Sequence, residues 1–203
     1  MDSQLHLYYY PGHASLAPHI LLHELKLEYK LILVDIKSGA QFDSAYSALN
    51  PLCKIPVLSC DGLLITESAA ICTWLALQHK YISSEDSDQL QWMFYLSSTL
   101  QNLLMEYHYP KNNVSDVTHV SETVRNEIGF HLQHINSALC SSSTLAKRFS
   151  ISDIYLTMLC YWCRTFLDEI PNIDNLKVAL KKHRTRSSVD KAFSIEGIGT
   201  YVP

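Results

Sequence analysis

The stretch from Asn50 to Trp74, NPLCKIPVLSCDGLLITESAAICTW, gathers residue types suited to binding a peptide-like molecule. Ile55-Pro56-Val57 places a proline at the head of an apolar run. With no N–H to donate, proline stays out of a central ladder unless the chain turns, bulges or lies at an edge. A cis Ile55–Pro56 bond meets that demand and turns the Ile55 main chain outward, where its N–H and C=O can pair with an extended ligand by strand addition. Further on, Thr66-Glu67-Ser68 runs into the helically spaced Ala69 to Leu77, so Ser68 or its neighbour lies at a helix N-terminus. Free N–H groups and the positive end of the helix dipole hold a carboxylate there. The guest implied by these residues is extended, peptide-like and anionic at one end.

The elements around this stretch are legible. Val57 to Cys60 and Leu63 to Thr66 are β-prone runs separated by Asp61-Gly62, the pair favoured in a two-residue type I′ hairpin. Leu5 to Tyr10 alternates and is rich in aromatics, a first strand stopped by Pro11-Gly12. A helix starts near Ser15, a suitable cap, with Pro18 tolerable in its first turn. Tyr29 to Asp35 reads as a second strand, and strand-helix-strand spacing of this length implies a right-handed crossover with parallel pairing. The first half is therefore βαβ, a poorly defined segment from Ile36 to Leu49, and ββα. Beyond the polar, acidic residues His79 to Asp88, three helical segments follow: Leu90 to Met105, Val120 to Leu139, and Ile151 to Leu167, the last apolar almost all round. Ser150-Ile151-Ser152-Asp153 fits a capping box at its start.

In this order, Asn50-Pro51, Ile55-Pro56, Asp61-Gly62 and Thr66-Glu67-Ser68 resemble the glutathione-binding half of the cytosolic glutathione S-transferase family. The resemblance extends over nearly the whole chain, including Ser150 to Asp153 and the closing Val189 to Ala192 and Ser194 to Gly197. It implies an α/β plus all-α protein: a thioredoxin-like glutathione-binding domain over residues 1–78, a linker at 79–88 and an all-helical domain over 89–203 facing the electrophile. It also implies glutathione as co-substrate, a detoxifying conjugation to small hydrophobic electrophiles, and a homodimer. The reacting species is a thiolate, and an ordinary thiol with pKa near ~8.5 is mostly protonated at neutral pH, so a donor near the sulfur must lower it.

The segment Tyr9-Tyr10-Pro11-Gly12-His13-Ala14-Ser15-Leu16 is most similar to the bacterial beta class, with two departures. Ala14 stands where that class has the cysteine that forms a mixed disulfide with glutathione. In the helix after the linker, Phe94 and Gln101 stand where it has an asparagine and a histidine. The hydroxyls left near the sulfur are Tyr9, Tyr10 and Ser15. Ser15 reads as the thiolate stabiliser, as in serine-type transferases, or as a plain helix cap, two roles compatible in one residue. Tyr9 is either a donor or a strand residue packed inward. His13 reads as a thiolate contact when protonated or as an ordinary loop histidine. Lys37 reads as a partner of the glycine carboxylate or as a solvated lysine. Ile55 and Pro56 hold the tripeptide main chain, and Glu67 with Ser68 anchor its γ-glutamyl end.

Other reactive patterns carry less. Cys160-Tyr161-Trp162-Cys163 has redox spacing, yet it lies within an apolar helix and not at a strand-to-helix turn, which makes both cysteines buried small hydrophobes. No further ligand set at metal spacing accompanies it, so no metal is expected. Cys53, close to Pro56, is a site for glutathionylation beside the ligand groove. His131 and His134 share a helix face and read as surface residues, and Lys181 to Arg186 as a solvated basic face.

Composition bounds these readings. The 203 residues suffice for one large domain or two small ones, and 47% hydrophobic with 18% charged residues indicates a globular chain. A net charge of −4 gives no reason to expect nucleic acid or an anionic membrane surface. No apolar run is long enough to span a bilayer, and the N-terminus has no basic region followed by an apolar core. Six cysteines without framework spacing fit reduced thiols in a cytoplasm. The rival to an enzyme is a non-catalytic binding or regulatory protein on the same fold, similar to stringent-starvation proteins or ligand carriers. A glutathione-dependent oxidoreductase or isomerase is disfavoured by the lack of cysteine near residues 13 to 15.

Overall fold

The computed structural model describes residues 4–83, 85–110, 117–139, 144–146 and 148–199, with side chains of the helix that begins at residue 117 described from 122 onward. The contacts of these residues divide the chain into two units, one of residues up to 85 with 185–199, the other of residues 86–184.

The first unit opens with β1 (Leu5–Tyr9), α1 (Leu16–Glu24) and β2 (Tyr29–Leu33). A short turn of 3-10 helix (Ala40–Phe42) and α2 (Ser44–Ser47) lead to β3 (Val57–Cys60), β4 (Leu63–Thr66) and α3 (Ser68–Gln78). The sheet order is β2-β1-β3-β4, with β1 and β2 parallel and the other pairs antiparallel. This is the thioredoxin-like arrangement expected from the βαβ and ββα pattern. The hairpin forms at Asp61 and Gly62, whose φ angles of 48° and 87° are both positive, as a type I′ turn requires. The β2 strand stops at Leu33, short of Asp35, because Asp35 turns the chain: its carboxylate accepts from the Lys37 N–H and its carbonyl from the Ser38 hydroxyl. On one face of the sheet Tyr8 packs with Val34, Tyr46 and Val57; by alternation Leu5 and Leu7 point to the other face and are buried.

The second unit is helical: α4 (Ser87–Tyr95), α5 (Gln101–His108), α6 (Val117–Ala138), α7 (Ile151–Trp162) and α8 (Asp174–Arg184). The segment read as one helix from Leu90 to Met105 spans Ser87 to His108, with a wide π-type turn at Leu96–Leu100 between α4 and α5. The reason is local. The Ser98 hydroxyl takes the Phe94 carbonyl at 2.6 Å and the Asn102 amide takes the Ser98 carbonyl at 2.6 Å, so side chains compete with the main-chain ladder. Helix α7 is buried all round from Ile151 to Cys160 but ends at Trp162, not Leu167, where the chain tightens into i→i+3 bonds from Cys163 onward. Its capping box is formed, with the Asp153 carboxylate accepting from the Ser150 N–H at 3.0 Å.

After α8 the chain returns to the first unit as α9 (Ser187–Ile195), which packs on α1. Glu24 ties the two helices together by accepting from the Arg186 guanidinium and the Ser188 hydroxyl. No helix among the described residues is long and apolar enough to cross a membrane.

Candidate functional site

The strand register assembles the site. Tyr8 pairs with Val57 and Val57 with Thr66, so these three residues form one row across β1, β3 and β4. At that end of the sheet β1 runs out into the Tyr10–Ser15 loop, β3 begins after Ile55-Pro56, and β4 passes into Glu67-Ser68. Segments distant in sequence thus come to one edge.

The Ile55–Pro56 bond is cis. The main-chain N–H and C=O of Ile55 make no hydrogen bond within the described residues. The approach to this bond is held by two side chains, Asn50 of the Asn50-Pro51 pair and Tyr46, which the sequence did not single out. The Tyr46 hydroxyl and the Asn50 amide each donate to the Lys54 carbonyl at 2.7 Å. Burial pushes the Tyr46 phenol well up, so it stays protonated and able to donate.

Glu67 is the cap residue of α3, with its carbonyl accepting from the Ile71 N–H at 2.9 Å. The N–H groups of Ser68, Ala69 and Ala70 are then the unclaimed first-turn donors of an eleven-residue helix. Glu67 has φ +66°, an unfavourable angle for a residue with a Cβ. Its carboxylate is exposed, while Ser68 is only 4% exposed. An exposed carboxylate beside a helix N-terminus offers a place for both an ammonium and a carboxylate, the two charges of an amino-acid end group.

Ser15 takes the cap position of α1, but its side chain does not cap the helix. Its buried hydroxyl donates to the Tyr10 carbonyl at 3.1 Å and accepts from the Tyr10 N–H at 3.3 Å, closing the loop on itself. His13 donates through Nδ1 to the Pro11 carbonyl at 2.9 Å and packs edge-on against Tyr10. Tyr9 is half-buried near His19, and its phenol is pushed up by burial and by the Glu196 charge, which keeps it a proton donor. Lys37 is exposed on the turn after β2, with only its main chain tied down.

A buried polar chain behind this loop escapes sequence reading. The Gly12 N–H donates to one Glu196 carboxylate oxygen at 2.7 Å, and the other lies 2.7 Å from Nδ1 of His19. His19 Nε2 lies 2.7 Å from the Tyr29 hydroxyl, itself 2.8 Å from His23 Nε2. The one sequence clue was the spacing of His19 and His23, which share a face of α1.

In the helical unit, Phe94 is 65% exposed and the Gln101 carbonyl accepts from the Tyr155 hydroxyl. Cys160 and Cys163 are fully buried, and burial pushes both thiols up, so the redox spacing describes core packing. His131 lies half-buried against Tyr95, whose hydroxyl is 2.6 Å from its Nδ1. Among the described residues, no cluster of three or more metal-ligating side chains is present.

The thioredoxin-like sheet with its cis-proline and the helical unit that follows it can be set beside known proteins. Residues 13–78 match the family model for the glutathione S-transferase N-terminal domain. The chain is 28% identical to the glutathione S-transferase GstA of Escherichia coli O157:H7 over 95% of its length and 98% of that protein. It superposes on the glutathione S-transferase of Xylella fastidiosa with a TM-score of 0.87 at 20% identity, covering 96% of this chain and all of that one. With the beta-class glutathione S-transferase of Sphingomonas chungbukensis the TM-score is 0.80 at 25% identity, covering 96% and 100% of the two chains. Residues 13–78 thus carry the match to the glutathione S-transferase N-terminal domain, and the chain is similar along nearly its whole length to a bacterial glutathione S-transferase.

Proposed function

We propose that this protein binds glutathione along the edge formed by Ile55, Glu67 and Ser68 and conjugates its thiolate to small hydrophobic electrophiles. The observation that carries the reading is the Tyr8, Val57, Thr66 row. It sets an unpaired Ile55 main chain, a charged helix entrance and a hydroxyl-bearing loop at one sheet edge. The tripeptide lies extended on Ile55, its γ-glutamyl end at Glu67 and Ser68, and its sulfur directed toward the Tyr9–Ser15 loop. Lys37 takes the glycine carboxylate and His13 stands beside the sulfur.

Conjugation by substitution or addition asks for proximity and a lowered thiol pKa more than for a general base. Tyr9, kept protonated by its surroundings, is the donor best placed by its chemistry, with Ser15 the second. In this reading residues 1–78 are the glutathione domain, 79–88 a linker and 89–203 the electrophile side. The protein works as a cytoplasmic homodimer without a metal.

One observation favours a second reading. The Ser15 hydroxyl already donates to the Tyr10 carbonyl, which leaves it no proton for a sulfur. A glutathione-fold carrier without catalysis accounts for that bond.

The test is calorimetric titration of glutathione into the wild-type protein and Ser68→Ala, with an ultraviolet scan for the thiolate band of the complex. Binding that weakens on Ser68→Ala, with a thiolate band at neutral pH, supports the transferase. Binding without a thiolate band supports the carrier. No binding at millimolar glutathione overturns both.

A further inference from the structure

From the chain of hydrogen bonds behind the Tyr10–Ser15 loop we infer that Glu196 is a positioning residue for that loop, held in place by His19, Tyr29 and His23. This rests on the transferase reading, since the loop it fixes is the one that faces the sulfur.

Glu196 is 5% exposed and its side chain is fully buried, as is that of His19. Burying a carboxylate is costly unless its oxygens are satisfied, and here both are. One accepts the Gly12 N–H and the other the His19 Nδ1–H, both at 2.7 Å. Nδ1 of His19 donates to Glu196, and the Tyr29 hydroxyl bridges His19 Nε2 and His23 Nε2; when the His19 ring carries only its Nδ1 proton, Nε2 accepts from Tyr29 and His23 Nε2–H donates to the Tyr29 oxygen. Burial above all, and then the charge of Lys191 beside it, brings His23 down to about 4, so it enters the chain as a neutral ring. Burial, and then the Glu196 charge, push Tyr29 up to about 12, so it keeps its proton. His23 ends the chain at a cleft of about 570 Å³ lined also by Lys26, Arg186 and Lys191, where it meets solvent.

What this holds is specific. Gly12 has φ +71°, a left-handed conformation, in a loop that also carries short-range hydrogen bonds from Ser15 to Tyr10, from His13 to Pro11 and from the His13 N–H to the Tyr10 carbonyl. The Glu196 carboxylate, 184 residues away, fixes the loop against α9, and its charge also helps to keep the Tyr9 phenol protonated. A loop that must aim a donor at a sulfur loses rate when it shifts by even an ångström, on the order of 100-fold in unfavourable cases.

The experiment compares wild type, Glu196→Ala, Glu196→Gln and Tyr29→Phe. Two readouts are taken: amide exchange at Gly12 by NMR, which needs no glutathione, and glutathione affinity, thiol pKa and kcat. In Glu196→Ala, Gly12 exchange speeds up at least tenfold. Glutathione affinity stays within about threefold because Ile55 and α3 hold the tripeptide, and kcat falls about 10- to 100-fold with a raised thiol pKa. Glutamine still accepts from Gly12 and, by donating to His19 Nδ1, turns its tautomer, so Glu196→Gln recovers most of the Gly12 protection and of kcat. Tyr29→Phe leaves the Gly12 bond but loosens its support, giving a smaller loss in the same direction. If Glu196→Ala does not fold, Gln and Phe carry the comparison. Unchanged Gly12 exchange and unchanged kcat and thiol pKa in the variants overturn the positioning role while glutathione binding by the wild type leaves the transferase reading standing. Failure of the wild type to bind glutathione overturns the transferase reading, and with it this one, whatever Gly12 does.

Discussion

The hydroxyl of Ser15 both donates to and accepts from the main chain of Tyr10, at 3.1 Å and 3.3 Å, across the loop that joins β1 to α1. A serine at the start of a helix is normally engaged with the helix's own N–H groups; this one instead closes the turn before it.

Ser15→Ala therefore removes two part-buried hydrogen bonds and leaves the Tyr10 carbonyl and N–H without that partner. The expected loss is about 1–3 kcal/mol, seen as a lower midpoint in urea with an unchanged slope. Ser15→Cys is expected to restore little, because sulfur is too long and too weak an acceptor for this turn. If Ser15→Ala leaves the midpoint unmoved while abolishing a glutathione thiolate band, the hydroxyl serves the sulfur and not the loop.

The thiols separate by position. Cys72, Cys160 and Cys163 are buried, and burial pushes all three up. Among the described cysteines, Cys53, partly exposed with φ +54° three residues before the cis-proline, is expected to react first with an alkylating reagent under native conditions. Cys60 should follow more slowly, its thiol raised by burial and by Asp61. Peptide mapping by mass spectrometry after brief labelling reads the order directly. Labelling of Cys160 or Cys163 ahead of Cys53 would contradict the helical packing described above.

Two glycines give opposite expectations. Gly62 sits at φ +87° with open space around an added Cβ, so Gly62→Ala meets backbone strain alone and costs about 1–2 kcal/mol. Gly129 lies within α6, and a Cβ there makes an ordinary 3.8 Å contact with Ile170. Gly129→Ala is therefore expected to stabilise by about 0.5–1 kcal/mol. Thermal melts of the pair give the comparison, with Gly129→Ala above wild type and Gly62→Ala below it. A Gly62→Ala protein as stable as wild type would show that the hairpin tolerates a different turn.

What the sequence disclosed follows the range of the interactions concerned. The Asp61-Gly62 turn, the cis-proline strand edge and the Ser150–Asp153 capping box are each set within a few residues, and each is found where its residues placed it. Ser15 was located at the helix start correctly, but the partner of its hydroxyl depends on how the loop folds back, which composition does not encode. The Glu196 to His19 pair spans 177 residues and depends on α9 returning to α1, so no local pattern announces it. The π-type turn after Phe94 arises from two side chains intercepting carbonyls in a segment whose apolar spacing reads as a continuous helix.

The last prediction concerns acid. The Asp153 carboxyl, fully buried, accepts from the Leu145 N–H at 2.8 Å and from the Ser150 N–H and hydroxyl at 3.0 and 2.9 Å, all of which favour its charged form. Burial outweighs them and raises the carboxyl from 3.8 to about 6. Between those two values the native protein holds a proton that the unfolded chain has released, so this group's contribution to stability is greatest below the unfolded pKa and falls as pH rises through the folded one. The whole change is about 3 kcal/mol, from about two pKa steps of ~1.4 kcal/mol each. Asp153→Asn keeps the shape and one acceptor but does not titrate. It is expected to be less stable than wild type near neutral pH, from a weakened capping box, and to lose the part of the slope that lies between pH 4 and 6. Urea midpoints of both proteins across that range decide the matter: with burial dominant, the wild-type minus variant difference declines as pH rises from 4 to 6. A difference that instead grows as pH rises from 4 to 6 would mean that the three donors, and His183 at 3.7 Å, hold the carboxylate more strongly than burial opposes it.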